Sequence, residues 1–162
     1  VPEYTLVGGI LRFETMGRSL ARSLGAPVNV PDPELVQFVA AFGAALLGLA
    51  LWVIFLNGGT LAINSAFDKD EGDIGYLRQP PPVPRHLFGF GMALLLAGGA
   101  ASLLLPPAFT AAYGACFVMS VLYSVPPFRF KAVAGVDWLI NMIGFGALTP
   151  YAGWAVTGRP SR

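Results

Sequence analysis

The sequence is poor in charged residues. Asp, Glu, Lys and Arg make up 12% of its 162 residues, whereas a typical soluble domain carries about 25%. So few charged side chains cannot cover a globular surface in water, which argues against a soluble enzyme and a disordered chain. The formal net charge is +1, so the chain has no strongly basic character that would attract nucleic acid.

Cysteine and histidine are also scarce. Cys116 is the one cysteine and His86 the one histidine in the sequence. An internal disulfide and a zinc site built from paired cysteines are therefore excluded. The sequence also lacks a phosphate-binding glycine loop after a strand and an arguable Ser-His-Asp arrangement, so nucleotide binding of that type and serine-hydrolase chemistry have no support.

Apolar sequence, in contrast, is abundant. Hydrophobic residues make up 55% of the chain and the mean hydropathy is +0.64, values typical of an integral membrane protein. Three stretches contain no Asp, Glu, Lys or Arg: residues 35–67, 86–128 and 138–158. Pro106-Pro107 divides the middle stretch, because proline disfavours helix before it. We therefore predict an all-α, multi-span transmembrane bundle, with spans at about 36–67, 87–105, 108–124 and 136–157.

The first 34 residues are predicted to form a separate N-terminal segment before the transmembrane part, residues 35–162. Residues 4–24 have helical length but contain several arginines, which are costly inside a bilayer. They are interpreted either as an interfacial amphipathic helix or as a poorly hydrophobic first span inside a bundle. Within the first long apolar stretch, Asn57-Gly58-Gly59 is the expected position of a kink.

The predicted spans place loops 68–86 and 125–136 on the same face of the membrane. The hairpin 105–108 on the opposite face has no charge. The loops on the first face contain five basic residues: Lys69, Arg78, Arg85, Arg129 and Lys131. By the positive-inside rule this face is predicted to be cytoplasmic, in a bacterial or archaeal cell membrane.

An acidic cluster follows the first predicted span. It contains Asp68, Asp70, Glu71 and Asp73. Asn64 lies four residues before Asp68 and therefore shares its helix face, and Gly72 lets the chain unwind so that Asp73 can reach the same point. Carboxylates this close repel one another unless a cation neutralises them, and oxygen ligands suit Mg²⁺. The spacing favours a metal site formed by Asn64 and the four acids, with a solvated helix end as the alternative.

A second charged loop, residues 123–131 (YSVPPFRFK), lies on the same predicted face as the acids. Arg129 and Lys131 beside an acid-bound metal would make a clamp for a diphosphate, with the metal on one side and the two cations on the other. Ordinary positive-inside anchoring is the simpler alternative for two basic residues at this position.

Together these segments resemble the UbiA superfamily of intramembrane prenyltransferases, whose first Asp-rich motif is N-D-x-x-D-x-x-x-D. Asn64 and Asp68 match its first and third specified positions, whereas Ser65 replaces the second and Asp73 comes one residue late. The loop 123–131 resembles the Tyr…Pro…Arg/Lys loop after the fourth helix of the family. Residues 135–154 resemble its fifth helix, and the resemblance covers about residues 36–157.

The resemblance implies Mg²⁺-dependent transfer of a prenyl group from a prenyl diphosphate to a lipid-soluble, aromatic acceptor, as in quinone biosynthesis. Catalytic roles are expected for Asp68, Asp73, Arg129 and Lys131, and diphosphate binding for Asn64, Tyr123, Arg129 and Lys131. The second Asp-rich motif of the family is missing after Asp73. The chain is therefore expected to be a fragment or a half-length relative that is inactive by itself.

Two other functions stay open. The first is a non-enzymatic membrane protein, such as part of a transporter or channel, whose acidic loop binds divalent cations. The second is a half-length relative of the family without catalysis. A transport path would need polar residues within the spans, and these are few, which favours the prenyltransferase. The sequence leaves the prenyl chain length, the acceptor and the oligomeric state open.

Cysteine labelling tests the predicted topology. In a Cys116→Ala background, Val83→Cys and Val133→Cys are expected to react with a membrane-impermeant maleimide from the same side, because their loops share one face. Ala108→Cys in the intervening hairpin is expected to react from the opposite side. Labelling of the two charged loops from opposite sides would rule out the diphosphate clamp.

Overall fold

The chain is mostly helical, as the sequence predicts. The computed structural model describes residues 4–6, 14–30, 32, 38–68, 73, 78 and 81–156. They belong to two compact units, Val1–Leu46 and Leu47–Arg162.

The first unit contains a helix and a pair of short parallel strands. Strand β1 (Tyr4–Thr5) pairs with β2 (Val28–Asn29), and helix α1 (Glu14–Leu24) lies between them in the sequence. Gly17 on α1 is buried, and a Cβ added to it would lie 3.6 Å from Val30 Cγ2. The helix therefore contacts the residue that follows β2.

Helix α1 is amphipathic and short. Its 11 residues extend about 16 Å at 1.5 Å per residue, roughly half of the hydrocarbon core of a bilayer. Arg18 and Arg22 lie on its polar face, four residues apart. Gly25, with φ of 60°, follows the helix, and its amide donates to the Ala21 carbonyl at 3.1 Å. Residues 4–24 are thus not one continuous helix, because the chain is extended at β1.

A long apolar helical segment leads into the second unit. Helix α2 (Val39–Ala50) continues into a π-helical stretch (Leu51–Asn57) and then into α3 (Gly58–Asp68). Residues Ala41–Asp68, 28 in all, are long and apolar enough to cross a membrane. The π-helical hydrogen-bonding pattern ends at Asn57. Asn57 and the two glycines after it form the segment at which the sequence predicts a kink.

The remaining helices follow the acidic loop. They are α4 (Leu87–Ser102), α5 (Pro107–Ser124), α6 (Val136–Asn141), a second π-helical stretch (Met142–Leu148) and α7 (Thr149–Ala155). Within the described residues, α5 is the second helix long and apolar enough to cross a membrane, and α4 is apolar but has 16 residues. Two of the four predicted spans meet this condition, and the multi-pass arrangement stays a prediction.

Helices α3 and α4 approach each other closely at two glycines. A Cβ added to Gly59 would lie 2.9 Å from the Gly91 carbonyl oxygen, and one added to Gly91 would lie 2.8 Å from the Gly59 carbonyl oxygen. Ile63 and Leu95, both completely buried, pack beside this contact. Small residues at this point permit the two backbones to come together, as in many membrane helix pairs.

Tyr113 on α5 is at the centre of the core. It is 1% exposed, and its hydroxyl donates to the Leu95 carbonyl at 3.2 Å. Gly98 leaves room for the Tyr113 hydroxyl, which an added Cβ would overlap. Trp52 packs edge-on against Tyr113 and Phe109, with ring centroids 6.4 and 5.9 Å apart. These aromatic contacts join the long helical segment to α5, and the hydroxyl joins α5 to α4.

The surface of the second unit is rich in apolar side chains. Large hydrophobic residues are at least half exposed at many positions, including Leu49, Val53, Ile54, Leu61, Leu96, Leu103, Leu104, Val118, Trp138 and Phe145. Water-soluble monomers seldom expose so much apolar surface. Contact with lipid acyl chains would cover it, in agreement with the two helices that are long enough to cross a membrane.

Gly91→Ala is expected to destabilise the protein by about 1–3 kcal/mol, the usual cost of overpacking, because the new methyl group would meet the Gly59 carbonyl. Gly89→Ala is the matched control, since Gly89 is exposed on the same helix and a Cβ there has no atom within 4 Å. Alanine at position 89 is expected to be neutral or to stabilise by up to about 1 kcal/mol. Thermal unfolding in detergent micelles measures both changes, and equal melting temperatures would contradict the close helix contact.

Candidate functional site

Asn64, Asp68 and Lys131 form a hydrogen-bonded cluster at the end of α3. Asn64 Nδ2 donates to Asp68 Oδ2 at 2.8 Å, as residues four apart on one helix face can. The Lys131 ammonium donates to Asn64 Oδ1 at 3.0 Å and to Asp68 Oδ1, with which it forms an ion pair. The acidic motif and the basic loop, which are far apart in the sequence, therefore meet at this cluster.

The loop after α5 brings Lys131 to this position. The Pro126-Pro127 peptide bond is cis, and Arg129 has a left-handed backbone with φ of 38°. A short 3-10 turn, Phe130–Ala132, follows. A non-glycine residue in the left-handed region costs about 1–3 kcal/mol. Backbone hydrogen bonds from the Arg129 amide and to the Arg129 carbonyl help to hold this conformation.

Ser124 completes the contacts of Asn64. The Ser124 side chain, at the end of α5, is buried, and its hydroxyl donates to Asn64 Oδ1 at 3.1 Å. Asn64 Oδ1 thus accepts from both Ser124 and Lys131, while Nδ2 donates to Asp68. These three hydrogen bonds fix the amide orientation and connect α3 to the end of α5 and to the loop that follows.

The ion pair of Lys131 and Asp68 is largely shielded from water. Their side chains are 11% and 26% exposed, respectively. Solvent screens such a pair less than a pair on an open surface. Removal of either partner would leave a partly buried charge without compensation, which is costly. The pair therefore holds the loop against the end of α3 as long as both charges are present.

Tyr123, Asp137 and Asn141 form a second polar cluster. The Tyr123 hydroxyl donates to Asp137 Oδ1 at 2.6 Å. Asn141 Nδ2 donates to the same carboxylate oxygen at 3.0 Å and to the Asp137 carbonyl at 2.9 Å. In the sequence, Asp137 lies four residues before Asn141, which repeats in reverse order the spacing of Asn64 and Asp68. Asp137 is not a predicted site residue, because it has no partner acid that would make it a second Asp-rich motif. The polar partners that the structure gives it are a tyrosine and an amide.

Both clusters contribute to the wall of a cavity of about 250 Å³ in the second unit. Asn64 comes from the first cluster, and Tyr123 and Asn141 come from the second. Most of the remaining wall is apolar and includes Trp52, Leu56, Met119, Ile140 and Phe145. Along the first helical segment the wall runs from Asn64 back to Trp52, about 18 Å at 1.5 Å per residue.

The predicted metal ligands are only partly accounted for. The structure joins Asn64 and Asp68, whereas Asp70 and Glu71 lie outside the described residues and Asp73 is exposed. In the part of the chain that the structure describes, no three His, Cys, Asp or Glu side chains are grouped so that they could hold a metal ion. A centre with several carboxylate ligands is thus absent from that part of the chain.

The predicted diphosphate-binding residues lie in three places. Asn64 and Lys131 belong to the first cluster and Tyr123 to the second. Arg129 is exposed in the loop, two residues before Lys131. Exposed guanidinium groups bind phosphate oxygens through two parallel hydrogen bonds. The loop therefore carries one partly buried and one exposed cation close together in the sequence.

The oxygen atoms of the first cluster suit a hard cation. Asn64 Oδ1 and Asp68 Oδ1 both accept from the Lys131 ammonium, so two oxygen atoms converge on one positive charge. Amide and carboxylate oxygens are ligands of Mg²⁺ in proteins, where water and substrate phosphates complete the coordination shell. The donor set therefore fits Mg²⁺ in its chemistry, with two protein oxygens.

Comparison with protein-family models, with curated proteins and with solved structures finds no match to this chain. The resemblance to UbiA-type enzymes therefore rests on the motifs in the sequence, and the two polar clusters and their cavity stand as observations on this chain.

A double-mutant cycle tests the second cluster. Tyr123→Phe and Asp137→Ala are each expected to destabilise the protein, with a coupling of about 1 kcal/mol, because both remove the same hydrogen bond. Tyr151→Phe is the control, since Tyr151 is exposed, and a change within about 0.5 kcal/mol is expected there. Urea unfolding in micelles gives the free energies, and purely additive effects would contradict the hydrogen bond.

Proposed function

We propose that the chain binds a prenyl diphosphate and takes part in Mg²⁺-dependent transfer of its prenyl group to a lipid-soluble, aromatic acceptor, as UbiA-type enzymes do. The observation that carries this proposal is the contact of Lys131 with Asn64 and Asp68. It joins the two motifs on which the sequence resemblance depends. Asn64 also belongs to the wall of a mostly apolar cavity, so polar and apolar binding surfaces are continuous.

The polar side of this site suits the diphosphate. Several negative charges must be compensated when a diphosphate leaves water, and Lys131 and Arg129 supply positive charge from one loop. Asn64 and Asp68 would hold Mg²⁺. When bound, the metal neutralises negative charge on the diphosphate and makes it a better leaving group.

The apolar side of the site suits the prenyl chain and its chemistry. In the proposed reaction the bond between the prenyl carbon and the diphosphate oxygen breaks, and its electron pair leaves with the oxygen. An acceptor carbon captures the allylic cation and then loses a proton. Apolar walls keep out water that would otherwise capture the cation. The cavity wall contains the aromatic rings of Trp52, Tyr123 and Phe145, and aromatic faces attract positive charge.

The direction of the helices supports a site at one membrane face. The two helices long enough to cross a membrane end at Asp68 and Ser124, and both ends lie at the Asn64 side chain. If both helices cross the membrane in the same direction, the chain must cross back between them. Helix α4 lies between them in the sequence and could make that crossing. This arrangement would place the loops after α3 and α5 on one face, which the positive-inside rule makes cytoplasmic.

Binding of farnesyl thiodiphosphate, an analogue that resists cleavage, tests the proposal with the chain in lipid nanodiscs. Binding is expected to require Mg²⁺, and Asn64→Ala is expected to weaken it by about 10- to 100-fold, through loss of hydrogen bonds to charged groups. Ser65→Ala is the matched control, because Ser65 is the exposed neighbour of Asn64. Its affinity is expected to stay within about twofold of the unsubstituted chain.

Three outcomes would contradict the proposed function. The first is analogue binding that is independent of Mg²⁺, and the second is analogue binding that is equally weak in both variants. The third is absence of binding together with a Mg²⁺ flux through liposomes that contain the chain, which would favour the transporter.

A further inference from the structure

The Lys131 ammonium lies where two oxygen ligands of the first cluster converge. It donates to Asn64 Oδ1 at 3.0 Å and to Asp68 Oδ1. Asn64 and Asp68 would hold Mg²⁺ through these same two oxygens. Because the ammonium already donates to both oxygens, the ammonium and the metal would compete for them.

The cluster keeps its shape by contacts that do not involve the lysine. Ser124 Oγ donates to Asn64 Oδ1 at 3.1 Å, and Asn64 Nδ2 donates to Asp68 Oδ2 at 2.8 Å. Both oxygens that face the ammonium can keep their orientation when it leaves. Lysine has a flexible four-carbon stem, so the Lys131 ammonium can move while the loop backbone stays in place.

Asp68 needs a positive charge beside it whether or not a metal is bound. Its side chain is 26% exposed, and a carboxylate at this depth is unfavourable without a counter-ion. The lysine supplies that charge in the observed arrangement. A divalent cation would supply it equally, and the released ammonium would then need another anion.

We infer that Lys131 is a tethered counter-ion that fills the cation position between Asn64 and Asp68 and yields it to Mg²⁺ when metal and diphosphate bind together. Its ammonium then moves to the diphosphate, a step that rests on the proposed function. Metal alone must displace the ammonium from Asp68, whereas metal with diphosphate also brings a new anion to which the ammonium can donate. Metal and diphosphate therefore strengthen each other's binding, and this coupling is reciprocal.

Mn²⁺ binding to the full chain in nanodiscs, followed by the EPR signal of free Mn²⁺, tests the competition. Lys131→Met removes the ammonium and is expected to bind Mn²⁺ alone at least about fivefold more tightly, the lower end of typical coupling between sites. Arg85→Met is the matched control, because it removes one positive charge from an exposed residue outside the cluster. Its Mn²⁺ affinity is expected to change by less than about twofold.

Unchanged Mn²⁺ affinity in Lys131→Met, or an equal gain in Arg85→Met, would overturn the inference. If Lys131→Met is unstable, melting curves with and without Mn²⁺ provide a second test of the competition. That variant is expected to melt below the unsubstituted chain, and Mn²⁺ is expected to raise its melting temperature more than that of the unsubstituted chain. Lys131→Gln, which keeps a hydrogen-bond donor without the charge, is expected to respond in the same way. Failure of Mn²⁺ to stabilise either variant would also overturn the exchange of cations.

Inorganic pyrophosphate, added as its Mn²⁺ complex, tests the movement of the ammonium. The complex is expected to bind Lys131→Met about tenfold more weakly than the unsubstituted chain, through loss of a charged hydrogen bond. One substitution would then strengthen binding of the metal alone and weaken binding of the metal with diphosphate. Equal binding to both chains would overturn the movement of the ammonium. The competition between ammonium and metal is decided separately, by the binding of Mn²⁺ without pyrophosphate. No binding to the unsubstituted chain would refute the proposed function and that movement together.

Discussion

Polar side chains within an apolar helical segment must find hydrogen-bond partners in the protein. In the candidate site, this constraint applies to Asn64. Lipid offers neither donors nor acceptors to such groups. The Asn64 side-chain oxygen accepts hydrogen bonds from Ser124 and Lys131, and its side-chain nitrogen donates one to Asp68. Among the residues that the structure describes, no buried side-chain nitrogen or oxygen lacks a hydrogen-bond partner. The end of α5 and the basic loop thus both contact the Asn64 amide group of α3.

The same helical segment also builds the core and the cavity. Gly59 and Gly91 bring α3 and α4 into backbone contact, and Tyr113 connects α5 to α4 through the Leu95 carbonyl. Trp52 contacts Tyr113 with one part of its surface and contributes to the cavity wall with another. Packing therefore sets the positions of the helices from which the polar residues project. A shift between α3 and α5 would separate Asn64 from Ser124 and Lys131.

Parts of the fold and site could be predicted because they depend on local chemistry. The proline pair explains the break between α4 and α5, and the four-residue spacing explains why Asn64 and Asp68 share a hydrogen bond. Other features depend on contacts that spacing does not encode. The pair of short strands and the Tyr123–Asp137 hydrogen bond are two of them. Asp70 and Glu71 lie outside the described residues, and their predicted ligand role stays a prediction.

Sequence alone accounts for the helical character of the chain, for its long apolar stretches, and for the presence of an acidic and a basic motif. It predicts four spans, of which two are helices long and apolar enough to cross a membrane in the part of the chain that the structure describes. Composition and periodicity suffice for these features, because hydropathy and proline act over a few residues. Only the tertiary structure shows which cation of the basic loop pairs with Asp68. Arg129 and Lys131 are equivalent in the sequence, but a left-handed backbone at Arg129 and a short turn after it bring Lys131 to Asp68. A difference of two residues in a turn decides which basic side chain reaches Asp68. Side-chain direction in a turn depends on the backbone dihedral angles, and packing selects those angles.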